Sequence, residues 1–122
     1  MTVVFRRKAV GELRSAAASR DRARLRRLLD PDVSVVVDAG EPDRSQVRVV
    51  HGVEDASLLL AHGLGAQRDL EVAERPVNGR PGLILSRDGR PTAVVAVDLS
   101  GSLISVVWVR LNPPVLRTGN TV

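Results

Sequence analysis

The apolar positions of this chain change their period once, near residue 69, and divide it into two textures. Ahead of that point, Val10, Leu13 and Ala17 recur at helical spacing between about Val3 and Ala18, with Phe5 near the start. Ser19 and Asp21 are both N-cap residues for a second, short helix whose inward side is Leu25, Leu28 and Leu29. Asp30-Pro31 ends it, because the residue before a proline avoids the helical region. "DVSVVVDAG" then predicts a β-branched strand from Val33 to Val37, "AGEPDRSQ" a polar loop, and "VRVVHG" a second, short strand. "GVEDASLLLAHGLG" predicts a third helix with Val53, Leu58 or Leu59, and Leu60 as its apolar positions. Gly63 and Gly65 are its stop signals, and His62 suits its last turn.

From Asp69 onward the pattern is that of strands. Asn78-Gly79, Asp88-Gly89 and Ser100-Gly101 are turn dipeptides, and the first two favour the type I′ turn whose twist matches a hairpin. The runs between them, "LEVAERPV", "RPGLILSR", "RPTAVVAVDL" and "SLISVVWVRL", predict a four-stranded antiparallel meander. Helices gathered on one side of such a sheet make an α+β layer fold. "TAVVAVDL", residues 92–99, is apolar on both faces almost to its end, so neither face is built for water. Alternation groups Leu83, Leu85, Val95, Val97, Val107 and Val109 on one face, and Ile84, Val94, Ala96, Val106 and Trp108 on the other. One group packs on the helices. The other would leave a large bare apolar patch unless a second chain covers it, and isologous C₂ pairing is the commonest way to do so.

Size and composition narrow the class. The 122 residues make one domain, 1–122, with a frayed tail expected from about residue 115. A chain of this length buries roughly two-thirds of its unfolded surface and needs no disulfide or metal to fold. With no cysteine there is no thiol nucleophile and no cysteine zinc ligand, and two histidines eleven residues apart give no metal signal. No cofactor is implied. The N-terminus lacks the pattern of a signal peptide and no apolar run reaches the ~18 residues of a membrane span, so a cytoplasmic protein is expected.

Charge is uneven. Residues 1–29 hold eight Arg and Lys8 against Glu12 and Asp21, a net +7, within a chain of net +4. "RDRARLRR", residues 20–27, could meet phosphates or an acidic partner, or be a solvated outer face in an arginine-biased protein. With Phe5 and Trp108 as the only aromatic residues, base-stacking modules are excluded, and no second basic segment accompanies the arginines. Nucleic acid is not the expected partner.

The order of elements, with "DRARLRRLLDPDVSVVVD", "HGVEDASLLL" and above all "VNGRPGLILSRDGRPTAVVAVDLSGSLISVVWVRLNPPVL", resembles the nuclear-transport-factor-2-like superfamily, in particular its SnoaL-like members. The last string is similar to the carboxy-terminal SnoaL-like domain attached to some extracytoplasmic-function sigma factors, where a "VNG-P" turn, a "DG" turn and a final "NP…L" recur. The likeness covers residues 10–117. It implies a cone: a curved sheet around three helices, a pocket inside, and frequent dimerisation through the outer sheet face. Those sigma-attached domains carry a glycine-rich string after the first strand, where this chain has "AGEPDR" after Asp38. No helix-turn-helix region precedes the domain, so a complete sigma factor is not expected.

Five residues are candidates for chemistry. Asp38 closes its strand where the ketosteroid-isomerase-like branch of the superfamily places a general-base aspartate, and a carboxylate at the mouth of an apolar pocket holds a proton tightly enough for such work. It equally suits a turn-opening aspartate that accepts backbone N–H bonds. That branch also uses a tyrosine in its oxyanion hole, and the chain has none. Asp98 is either a second pocket carboxylate or a solvated strand end. Trp108 and Arg110 share a face, where Trp offers area and Arg a carboxylate clamp; Trp108 equally suits the core or a dimer interface. His51, before Gly52 at a helix entry, could reach a cavity mouth or simply be exposed. The expected function is a homodimeric, non-catalytic binding or regulatory module for a small apolar molecule or a protein. The alternative is a cofactor-free isomerase, cyclase or hydrolase with Asp38 as base.

Overall fold

The computed structural model of the protein describes residues 2–39 and 46–111, with side chains from residue 6 on. The Phe5 side chain, most of "AGEPDR", the "NP…L" string and the expected frayed tail lie outside the described residues. Helix α1, Thr2–Ala18, buries Val10, Leu13, Ala16 and Ala17, the side its period predicts. It ends in a Schellman arrangement with Arg20 at φ 54°: Asp21 N–H reaches Ala16 O at 2.9 Å and Arg20 N–H reaches Ala17 O at 2.9 Å. No glycine marks this stop. Asp21, not Ser19, caps α2 (Arg22–Leu28), its carboxylate accepting from Arg24 N–H at 3.1 Å, while Ser19 bonds back to Ser15 O. Asp21→Ala is expected to cost about 1 kcal/mol, read as a lower denaturation midpoint.

Leu29 is already extended, and β1 runs Leu29–Asp38, longer than its apolar heart, with an irregularity between Leu29 and Ser34 around Pro31. Strand β2 is Val47–His51. Helix α3 is Val53–Leu64 and passes through Gly63, which is therefore no stop. Gly65 ends it, where a Cβ would run into the Ala61 carbonyl and the Arg20 side chain. Leu60 is buried, Leu59 partly, and Leu58 faces outward. Ala56, Ser57, Ala61 and Leu64 complete the inward side.

The meander follows as β3 (Leu70–Val77), β4 (Arg80–Arg87), β5 (Arg90–Ser100) and β6 (Leu103–Leu111). Asn78, Gly79, Asp88 and Gly89 all have positive φ, as type I′ turns require. The third turn is Gly101-Ser102, one residue later than expected, since Ser100 pairs with Leu103. The sheet order is β2-β1-β6-β5-β4-β3. All neighbours are antiparallel except β1 and β6, which run parallel. That pair joins the early strands to the meander. Helix α1 lies against β4 and β5, and α3 against β1.

The helix-facing side is filled. Val33, Val35, Leu83, Val95, Val97 and Val107 meet Leu13, Leu25 and Leu60, all essentially inaccessible. Ser57 is the buried polar side chain among the described residues, and its Oγ donates to Glu54 O at 3.0 Å. No helix of the described residues is long and apolar enough to cross a membrane.

Candidate functional site

The other side of the sheet is uncovered. Register places Val36, Trp108, Ala96 and Gly82 in one row across β1, β6, β5 and β4, and Asp38, Arg110, Val94 and Ile84 in the next. Trp108 is 47% exposed, and on edge strand β2 Val47 and Val49 are 52% and 47% exposed. Sheet twist shapes part of this face into an open hollow of about 700 Å³. Val36, Val94 and Ala96 floor it, Trp108 and Val47 stand beside them, and Asp38, Asp98, Arg110 and Arg80 supply charge. Four of the five candidate residues thus line one hollow. The expectation of a chamber on the helix side does not match where they stand: the aliphatic core occupies that side, and Asp38 faces away from the helices beside Arg110.

Asp98 organises the lower part. Its Oδ2 accepts from Trp108 Nε1 at 2.7 Å, and its Oδ1 lies 3.6 Å from Arg80 and 3.8 Å from Arg6 of α1. Two guanidiniums face one carboxylate, and the short indole bond orients the only tryptophan of the chain. Asp98 thus stands in the lining of the hollow with its carboxylate held by Trp108, Arg80 and Arg6. His51 is not part of this group. It lies opposite Ser34, whose Oγ is 3.0 Å from its Nδ1.

Arg6 and Arg80 were missed by sequence reasoning: Arg6 comes from α1, whose docking against β4 and β5 has no local mark, and the position of Arg80 and the pairing of Trp108 depend on two β-bulges. A strict two-residue turn at Asp88-Gly89 would set Arg80 opposite Val97, on the core side. Instead Leu85 pairs with Ala93 while Ser86 pairs with Pro91, leaving Thr92 extra, so Arg80 joins the side of Asp98. Likewise Leu99 pairs with Ile104 while Asp98 pairs with Val106, leaving Ser105 extra and setting Trp108 on the side of Asp98. In each bulge a hydroxyl satisfies the carbonyl opposite: Thr92 Oγ1 to Leu85 O at 3.3 Å, Ser105 Oγ to Asp98 O at 3.1 Å. A hydroxyl residue within an otherwise apolar strand is the signal that was available.

Four of the five arginines of the run, all but exposed Arg27, make contacts within the chain. Arg22 and Arg26 both pair with Glu54 of α3, at 3.2 and 3.0 Å, Arg20 donates to Ala66 O, and Arg24 reaches Ser15 Oγ. These contacts tie α2 to its neighbours. Among the described residues no cluster of side chains is arranged to hold a metal ion.

No family model and no curated protein matches the chain. Solved structures do. An uncharacterized protein with a cystatin-like fold from Silicibacter pomeroyi matches with TM-score 0.66 at 16% identity, over 95% of this chain and 82% of its own. The extracytoplasmic function sigma factor SigJ of Mycobacterium tuberculosis matches with TM-score 0.65 at 24% identity, over 92% of this chain; the chain spans only 44% of that protein. An NTF2-like protein of unknown function from Burkholderia xenovorans matches with TM-score 0.61 at 18% identity, over 91% of this chain and 85% of its own. The six-stranded curved sheet, its three helices on one side and these likenesses lead to one conclusion: the chain has the nuclear-transport-factor-2-like, cystatin-like α+β fold, and resembles SigJ within it.

Proposed function

We propose that this protein is a non-catalytic binding module that works as a homodimer, its two sheets meeting over the faces turned away from the helices. The observation that carries this reading is the bare apolar centre of that face, with Trp108, Val47 and Val49 about half exposed around half-buried Val36, Val94, Ala96 and Val106. Patches of this kind on small domains mark interaction sites. A second copy presents the same patch, and isologous pairing closes without leaving an edge for further growth. The likeness to SigJ supports a regulatory setting. The contacts of Arg20, Arg22 and Arg26 within the chain argue against a nucleic-acid partner.

Sedimentation velocity tests the reading. The expected species has twice the 13.1 kDa chain mass, and dilution should shift Trp108 emission to the red as the interface opens. A 13.1 kDa species at every soluble concentration would sink it. The second reading, an isomerase or cyclase with Asp38 as base, draws on the place of Asp38 in the hollow near Trp108. A turnover that survives Asp38→Asn would remove it.

A further inference from the structure

We propose that the hollow on the outer sheet face binds a small planar apolar carboxylate, its ring system against Trp108 and its carboxylate on Arg110. This deepens the reading above and rests on it for the roof alone, which a facing second sheet would supply; the contacts to Trp108 and Arg110 come from one sheet. Its volume, about 700 Å³, is that of sites that hold small organic ligands. Its floor, Val36, Val94 and Ala96, carries no polar side chain.

Trp108 selects for shape. Its N–H is already bonded to Asp98, so the ring has no donor left for a ligand and offers apolar surface only. A planar apolar group stacks well on such a surface. The charges select for sign. Asp98 is outnumbered by Arg6 and Arg80, which leaves that group net positive, and Asp38 has an interaction of its own. None of the ion pairs among the described residues involves Arg110. Arg110 is exposed at the hollow, and its planar guanidinium fork matches a carboxylate. Arg110 lies two residues along β6 from Trp108, about 7 Å at the rise of a strand. That separation fits a bicyclic ring joined to a carboxylate by a short link.

The chain has one tryptophan, so a ¹⁵N-labelled sample shows one indole N–H signal, and it comes from this hollow. We would titrate 2-naphthylacetate and, separately, the neutral 2-naphthylethanol. The acid is expected to move that signal and to bind about tenfold more tightly than the alcohol, the size of a charge-assisted contact. In Arg110→Gln, whose amide spectrum should show the fold intact, the two ligands should bind alike. Arg48→Gln, on β2 opposite Val37 and so on the other face, should keep the preference. An acid that leaves the indole signal unmoved, an alcohol that binds equally well, or a preference that persists in Arg110→Gln overturns the proposal. Sedimentation of the same samples separates the two ideas. A dimer without acid binding sinks the ligand and keeps the dimer; a monomer with selective binding sinks the dimer and keeps the ligand site; a monomer without binding sinks both.

Discussion

Trp108→Glu is expected to yield a folded monomer in place of the proposed dimer. The side chain is half exposed in the single chain, so folding gains little from it and the substitution removes little from the core. In the proposed dimer the same side chain would stand in the middle of the contact, and a central tryptophan typically contributes about 2 kcal/mol or more to such an interface. A two-fold axis counts it twice. The combined loss, about 4 kcal/mol, raises the dissociation constant about a thousandfold. The buried carboxylates add their own desolvation cost. Sedimentation velocity reads the assembly, and the thermal transition of the monomer reads the fold. A Trp108→Glu protein that still sediments as a dimer would place the interface elsewhere.

Gly82→Ala has the larger expected effect on stability. A Cβ at this position would stand 2.6 Å from Val95 O and 2.6 Å from Val77 Cγ2. The valine can turn, but the carbonyl is backbone of the neighbouring strand and cannot retreat without opening the β4–β5 pairing beside Gly82↔Ala96. Overpacking of this kind costs roughly 1–3 kcal/mol. A lower urea midpoint at unchanged slope is the expected reading. Gly63 makes the contrast. It sits inside α3 with nothing within 4 Å of its would-be Cβ, so Gly63→Ala should stabilise by about 0.4–1 kcal/mol. Equal midpoints for the two variants would contradict the close approach at Gly82.

Much of this architecture was legible before any coordinate. Asn78-Gly79 and Asp88-Gly89 announced type I′ hairpins because few residues tolerate two successive positive φ angles. Val10, Leu13 and Ala17 announced the inward side of α1 because a helix repeats every 3.6 residues. The two faces of the meander were also separable, since the side chains of a strand alternate. The α1 stop at Arg20 was not legible, because its left-handed turn uses no glycine. Nor was the parallel β1–β6 contact, which joins segments some seventy positions apart with no local mark on either.

The candidate site divides along the same line. By itself the sequence determined which residues could carry chemistry, that Trp108 and Arg110 share a face, and that both faces of "TAVVAVDL" need cover, for these follow from residue type and a period of two. Only the tertiary structure decided which face the helices take, and that Asp38, Asp98, Trp108 and Arg110 gather on the other with Arg80. The physical reason is register. One extra residue at Thr92 and one at Ser105 reverse which side of β5 faces which side of its neighbours, and a bulge is settled by the pairing of whole strands, not by the local alternation that predicts them.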